Sequence, residues 1–177
     1  MAAAAGSLFT PAERAVLEAR QLRLAARVVV RGVEPVRLVQ FRRATTLYAM
    51  PASGMLSVRA LPRISRLPGA PPHLVGLAHL DGHVVGVLDL ERLVVPNAPM
   101  PPRAWCAWIQ EKGKSALLLA DELLDIIDVP PSALEVGEVK GAFTGPLATR
   151  IRAVLPGPSL VIDAGRLLEP ELFRNLS

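Results

Sequence analysis

The sequence is short of cysteine, of aromatic residues and of long apolar runs, and each shortage excludes a class of protein. Cys106 is the only cysteine among 177 residues, so a disulfide-stabilised secreted scaffold is excluded. Aromatic residues make up 4% of the chain, which is too few for a base-stacking platform. No stretch reaches the roughly 18 uncharged apolar residues needed to span a bilayer, so we expect no membrane insertion.

Sequence motifs for catalysis and targeting are also missing. The chain has no Walker loop, dinucleotide-binding glycine motif, nucleophile elbow or paired-cysteine metal motif. Its start lacks the basic residues and the apolar run that a signal peptide would have. We therefore expect a soluble, cytoplasmic protein that is not an enzyme and has no metal or cofactor.

The composition is that of a folded protein with a basic balance of charge. Hydrophobic residues make up 51% and charged residues 20% of the chain, which fits one domain or two small subdomains sharing a core. The net charge of +4 permits binding to an acidic protein, to nucleic acid or to an anionic membrane. The one local basic group, Arg59, Arg63 and Arg66, is interpreted either as a solvated loop edge or as a patch for an acidic partner.

The first predicted element is a helix from about Thr10 to Arg27. Thr10 can cap this helix, Pro11 suits its first position, and Glu13 completes a capping box. Its apolar residues recur at helical spacing, so one face should dock on the body of the protein or on a partner. We assign residues 1–34 to this helix and a linker, and residues 35–177 to the main domain.

After Gly32 the pattern changes to short β-type runs, separated by glycine and by most of the 17 prolines. Such a chain is typical of small barrels, so the predicted fold class is mainly β. Asp81-Gly82 lies between two apolar runs and favours a type I′ hairpin turn. The second strand of this hairpin is apolar on both faces and should lie between two packed layers. A second hairpin is predicted from Trp105 to Ala120, turning through Glu111–Lys114.

A weak internal repeat indicates two related subdomains. The segment VLDLERLV (residues 87–94) is similar to VIDAGRLL (residues 161–168). Each contains an apolar strand end, an aspartate and a short amphipathic turn. Asp89 and Asp163 are placed to cap the helical turn that follows them.

Three groups of residues are candidates for a chemical site. His79, Asp81 and His83 could ligate zinc or iron, but the predicted hairpin puts them near a solvated tip, where they need no ligand. Cys106 could be a nucleophile, but it lies in an alternating apolar run with no base nearby and is interpreted as a small buried hydrophobe. The third group alternates with leucine and isoleucine, which favours a solvated face or a contact for a basic partner. It consists of Asp121, Glu122, Asp125 and Asp128.

Several of these segments together resemble the CheW family of chemotaxis coupling proteins. They are YAMP followed by MLSV, the stretch from Leu67 to Val94, and then ADELLDIIDVPPSALE, KGAF and LVIDAGRLL. The likeness extends from about Val36 to Leu168. It implies a CheW-like domain of two small five-stranded β-barrel subdomains that share a hydrophobic core, to which the N-terminal α-helix is an addition.

The resemblance implies an adaptor or scaffold of bacterial chemosensory signal transduction. In that family one surface engages a CheA-type histidine kinase and another contacts the cytoplasmic tip of a chemoreceptor. The alternative is a diverged regulator of another signalling or motility system without chemoreceptors. An alternative from a different class is a small basic β-barrel that binds nucleic acid. Because aromatic residues are sparse, we expect no nucleic-acid partner.

The chain departs from the family pattern in the region associated with the receptor. Asp81 stands where the family usually has arginine, which reverses the charge, and Ser57 stands where it often has glutamate. These changes spare the apolar alternation and hence the fold. The residues that the resemblance implies for the partner contact are Ser57, Val58, His79, Leu80, Asp81, Gly82 and Val84.

Overall fold

The protein, seen here in a computed structural model, is described over residues 33–135 and 145–173. Within these ranges it forms eleven β-strands and one four-residue helix, α1 (Ala164–Leu167), with short 3₁₀ turns between them. The predicted helix from Thr10 to Arg27 lies outside the described residues. The strands are β1 (Val36–Arg43), β2 (Thr46–Pro51), β3 (Met55–Ala60), β4 (Ile64–Ser65), β5 (Leu74–Leu80), β6 (His83–Leu88), β7 (Trp105–Glu111), β8 (Lys114–Ala120), β9 (Glu122–Val129), β10 (Ile151–Leu155) and β11 (Ser159–Ile162).

The strands form two mixed sheets. The first sheet has the order β10-β11-β2-β1-β9, and the second has the order β3-β7-β8-β6-β5-β4. Most neighbouring strands are antiparallel, but β11 lies parallel to β2 and β6 lies parallel to β8. The second sheet therefore uses a continuous stretch of chain, whereas the first combines strands from both ends of the described residues.

These sheets correct one part of the predicted fold. The expectation was two closed barrels of five strands each, but the second sheet has six strands because Ile64 and Ser65 add a short edge strand to β5. Among the described strands, no ladder joins β10 to β9 or β3 to β4, so both sheets have open edges. The mainly β class and the division into two parts are confirmed.

Buried apolar side chains form three clusters, one for each sheet and one between them. The cluster of the first sheet includes Leu38, and that of the second includes Val87. The largest cluster takes side chains from both sheets, such as Tyr48 from β2 and Ile109 from β7. The two sheets thus share a core.

Strand β6 lies between two of these clusters. Leu88 belongs to the shared cluster, whereas Val85 and Val87 belong to the cluster of the second sheet. Val84, near the start of the strand, is 69% exposed. The prediction that this strand packs on both faces is therefore confirmed, except at its exposed first residues.

Both predicted hairpins are present. The first joins β5 to β6 with Leu80 opposite His83, and Asp81 and Gly82 have φ values of 48° and 85°. The second joins β7 to β8, and its central residues, Lys112 and Gly113, have φ values of 49° and 77°. Positive φ at both central positions is what a type I′ turn requires.

The two aspartates of the internal repeat both bond to the turn that follows them. Asp163 Oδ1 accepts a hydrogen bond of 3.1 Å from the backbone N–H of Arg166 and caps α1. Asp89 Oδ1 accepts one of 3.1 Å from the backbone N–H of Glu91, where a 3₁₀ turn begins. The predicted capping role is therefore confirmed for Asp163, whereas Leu90 occupies the N-cap of the turn after Asp89, and Asp89 supports that turn from the preceding position.

A buried polar network joins the two sheets. Arg43, at the end of β1, donates to Asp89, to Asp121 Oδ1 at 3.3 Å and to the carbonyl of Pro99 at 2.7 Å. Asp121 Oδ2 also accepts a hydrogen bond of 2.6 Å from the backbone N–H of Ala44. Burial lowers the pKa of Arg43, but the hydrogen bond and the charge of Asp89 outweigh it, so this pKa lies above its ordinary value. The guanidinium is charged, and its partners lie just after β6, in the loop before β7 and between β8 and β9.

Candidate functional site

The tip of the β5–β6 hairpin is the most exposed part of the predicted contact region. His79, Asp81, Gly82 and Val84 are exposed there, because the type I′ turn projects beyond the packed part of the sheet. Leu80 is only 6% exposed and packs into the cluster of the second sheet. It anchors the hairpin and offers little side-chain surface to a partner.

Arg59, from the edge strand β3, reaches across to this tip. Its Nη2 atom lies 3.1 Å from Asp81 Oδ2 and also donates a hydrogen bond of 3.2 Å to Ser57 Oγ. The side chain of Arg59 is 36% exposed and that of Asp81 is 58% exposed. The pair is therefore accessible and screened by solvent, and its contribution to stability is about 0–1 kcal/mol.

An aromatic side chain lies beneath the arginine. The guanidinium carbon of Arg59 is 5.9 Å from the ring centroid of Trp108 on β7, within the range of a cation–π contact. The His83 ring is tilted against the same indole, with 6.2 Å between the centroids. Three separate strands and the hairpin turn thus meet at one place. We call Ser57, Arg59, Asp81, His83 and Trp108 the Arg59 cluster.

The structure brings together some of the predicted contact residues and separates others. Ser57 and Asp81 are 24 positions apart in the sequence but are joined through Arg59. Val58 lies on the opposite face of β3 from Ser57 and Arg59 and packs against the shared core. The contact region predicted from sequence therefore splits into an exposed charged part and a buried supporting part.

Sequence reasoning missed the central role of Arg59 and Trp108. Arg59 was noticed only as one of three nearby arginines, and the other two, Arg63 and Arg66, are exposed and form no ion pair with a described residue. The available signal was that Ser57 and Arg59 are two residues apart on a strand, since side chains at that spacing share a face.

The hairpin register separates the two histidines that were weighed as metal ligands. His79 is opposite Val84 and Leu80 is opposite His83, and residues opposite each other in an antiparallel ladder share a face. The two imidazoles consequently lie on opposite faces of the hairpin. Within residues 33–135 and 145–173, no group of three or more histidine, cysteine or acidic side chains is arranged to hold a metal ion.

Cys106 is buried within the second sheet. Its Sγ atom is 3.9 Å from the carbonyl oxygen of Ala60, and it belongs to the apolar cluster of that sheet. Burial raises the pKa of this thiol more than the nearby charge of Arg59 lowers it. The neutral thiol is therefore the stable form, which is the opposite of what an activated nucleophile needs.

The acidic residues around β9 do not form one uniform face. Glu122 and Asp128 are solvated and pair across the ladder with Arg42 at 2.7 Å and Arg37 at 3.1 Å. Asp121 differs, since its side chain is 20% exposed and contacts the buried Arg43. The interpretation of a solvated face holds for the strand but not for Asp121.

A cleft between the β7–β8 turn and α1 is lined by charges of both signs. Three are basic and three are acidic, so their formal charges cancel. Such a lining provides no concentrated positive field for a nucleic-acid backbone. The charged residues are Glu111, Lys112, Lys114, Asp163, Arg166 and Glu169.

Comparisons with known proteins agree with this geometry. A family model described as the CheW-like domain matches residues 37–169. The chain is similar to the crystal structure of the scaffolding protein TtCheW from Thermoanaerobacter tengcongensis, with a TM-score of 0.62 and 19% sequence identity, covering 75% of this chain and 87% of that chain. A search of curated proteins finds no match. In the described part of the chain, no helix has the length and apolar character to cross a membrane.

Proposed function

The chain belongs to the CheW-like domain family, and we propose that it is an adaptor that couples a CheA-type histidine kinase to chemoreceptors or to a diverged partner. Members of this family are scaffolds and adaptors and not enzymes. The chain accordingly acts through protein contacts. The neutral Cys106 thiol agrees with that role, as do His79 and His83, which lie on opposite faces of the hairpin.

The observation that supports the proposal most directly is the Arg59 cluster. Its two opposite charges are exposed, yet each lies on a fixed element, with Arg59 on β3 and Asp81 in the turn between β5 and β6. A surface of this kind favours specific association, because complementary charges steer the approach of a partner and reject unsuitable ones.

We assign the receptor-side contact to the exposed part of this region. Asp81, Gly82, His79 and Val84 would contact the partner directly, with Ser57 at the margin. Leu80 and Val58 would support that surface from within, since they pack in the two neighbouring clusters. The individual contacts are expected to be modest and to be strengthened by multivalent assembly.

The experiment that tests the proposal is a binding measurement with purified components. The full chain is titrated by calorimetry with the regulatory domain of a CheA-type kinase and with a receptor cytoplasmic fragment, both encoded in the same genome. We expect saturable binding to the kinase domain with a Kd below about 100 μM. No binding to the kinase domain at that concentration would overturn the adaptor function.

Two valines provide a matched pair of variants for the contact surface. Val84 is 69% exposed at the hairpin tip, and Val154 is 42% exposed on β10 of the other sheet. Val84→Asp should weaken binding to the receptor fragment, whereas Val154→Asp should not. Equal effects of the two variants would contradict the placement of the receptor contact at the hairpin.

The second candidate function keeps the fold and changes the partner. The absence of glutamate at Ser57 and of arginine at Asp81 favours a diverged regulator that does not act on conventional receptors. Binding to the kinase domain without binding to any receptor fragment would support this role. Binding to nucleic acid that falls steeply with salt would instead support the basic β-barrel alternative.

The proposed setting is the cytoplasm, where the signalling domains of these partners lie. The division into residues 1–34 and 35–177 stays a prediction. It can be tested by comparing the thermal stability and the kinase binding of the full chain with those of a chain that starts at residue 35. If residues 1–34 form a separate helix and linker, the two chains should have similar Tm values, whereas a lower Tm for the shorter chain would contradict this division.

A further inference from the structure

We propose that Arg59 and Asp81 together select the partner, which must present an acidic side chain opposite Arg59 and a basic side chain opposite Asp81. This inference rests on the proposed adaptor function and adds the chemistry of the partner surface. The two residues form an exposed ion pair with 3.1 Å between Nη2 and Oδ2. A partner with complementary charges would extend this pair into a group of four alternating charges.

Arg59 is positioned to bind a carboxylate of a partner. Its Nη2 atom makes both hydrogen bonds to Ser57 and Asp81, while Nε and Nη1 make none with the described residues. The indole of Trp108 lies below the guanidinium and limits its movement. An arginine held in this way still has N–H groups on Nε and Nη1 that can donate a charge-assisted hydrogen bond to a partner carboxylate, and such a bond is stronger than one between neutral groups.

Asp81 is equally able to accept a hydrogen bond from a partner cation. Its Oδ2 atom faces Arg59, whereas Oδ1 makes no hydrogen bond with a described residue. The type I′ turn fixes the backbone at φ 48°, so the direction of the side chain is set by the hairpin. A lysine or an arginine of the partner would therefore meet one defined position.

The fold determines the order of the two charges. The cation lies on the edge strand β3 and the anion lies on the hairpin tip. A partner with the reverse arrangement would place like charges against both residues, which lowers affinity and slows association. The selection is thus made by the polarity of the pair.

The test is a swap of the two charges in the full chain. Arg59→Glu and Asp81→Arg each place like charges together, whereas the double variant restores an opposite pair with inverted polarity. Each variant is titrated with the receptor fragment, which is the partner assigned to this surface. We expect the double variant to keep the Tm of the wild type and to bind at least about 10-fold more weakly. The loss should be largest at low salt, where charge interactions are least screened.

Arg63→Glu is the matched control, since Arg63 is an exposed arginine of the same segment that forms no ion pair with a described residue. It changes the net charge as Arg59→Glu does and should bind as the wild type does, which separates a local charge effect from an effect of net charge, whereas the double variant leaves the net charge unchanged. A double variant that binds as tightly as the wild type would overturn the selection by polarity and leave the adaptor function intact. A wild type that binds the kinase domain but no receptor fragment would overturn the selection of a receptor by this ion pair, and a wild type that does not bind the kinase domain would overturn the adaptor function itself.

Discussion

Arg43 and Asp89 form a two-point ion pair that joins the two sheets of the protein. Arg43 Nε lies 2.9 Å from Asp89 Oδ1, and Arg43 Nη2 lies 2.7 Å from Asp89 Oδ2. The side chains are 3% and 0% exposed, so neither charge can be solvated if its partner is lost. Removing one partner of a buried pair is much more costly than removing one partner of an exposed pair.

We therefore expect Arg43→Met to lower the free energy of unfolding by about 3–5 kcal/mol, because Asp89 would remain buried without its main partner. Urea denaturation followed by circular dichroism measures this change. Arg37→Met is the control, since Arg37 pairs with Asp128 on the surface with 66% of its side chain exposed. Equal unfolding midpoints for the two variants would show that the buried pair does not hold the sheets together.

The stability of the protein should decrease as the pH falls below about 6.5, in part because of His73. Burial lowers the pKa of this histidine below its ordinary value of 6.5, and Nε2 lies 2.7 Å from the carbonyl oxygen of Leu172. As the pH is lowered, the unfolded chain takes up a proton at His73 before the folded protein does. Protonation then favours the unfolded state, and stability is lost from pH 6.5 downward.

His73→Gln should reduce this pH dependence. Glutamine can still donate a hydrogen bond to the carbonyl of Leu172 but does not titrate. The measurement is the free energy of unfolding between about pH 7.5 and 5. His79→Gln is the control for the replacement of a histidine elsewhere, because His79 is exposed at the hairpin tip. The same slope in the wild type and in His73→Gln would exclude His73 as the cause.

A side chain at Gly76 should be strongly destabilising. A Cβ atom there would collide with the carbonyl oxygen of Ser65 and lie 2.6 Å from Ile64 Cγ2, because the paired strands β4 and β5 lie close together at this point. Gly76→Ala is expected to cost about 2 kcal/mol or more, measured by denaturation, because the two strands would have to separate. Gly54→Ala is the control, since a Cβ atom there would meet Ala164 Cβ at an ordinary 3.7 Å. A similar small cost at both positions would contradict the close approach of β4 to β5.

Cys106 should be unreactive in the folded protein. The residue is 0% exposed and burial raises the pKa of its thiol, so neither access nor ionisation favours attack on a reagent. We expect labelling by a thiol-reactive disulfide reagent to be at least about 100-fold slower in native buffer than in urea, since it requires local unfolding. Rapid labelling of the native protein at neutral pH would show that β7 opens readily.

The features predicted well from sequence are those that depend on a few neighbouring residues. The Asp81-Gly82 turn and the cap at Asp163 follow from the conformational preferences of residues one to three positions apart. The family likeness likewise depends on short segments in a fixed order. Such features are encoded locally and need no knowledge of which strands become neighbours.

The features that sequence could not predict depend on contacts between distant parts of the chain. Arg59 and Asp81 are 22 positions apart, and Arg43 and Asp89 are 46 apart. Asp121 has the same alternating neighbours as the solvated acids of β9, yet it bonds to Arg43 because β1 ends beside it. Whether a charged residue is solvated or buried is decided by the packing of the sheets, which the local pattern does not contain.

The parallel pairing of β2 with β11 has a consequence for the order in which the chain folds. Tyr48 aligns with Leu160, so the first sheet cannot be completed until residue 160 has left the ribosome. The strands of the second sheet lie within residues 55–120 and can associate while synthesis continues. Because long-range pairing is slow to form, the outer edges of β1 and β2, which pair with β9 and β11, would remain unpaired in the nascent protein. The half of the molecule that displays Arg59 and Asp81 is therefore expected to be the first to acquire its native form.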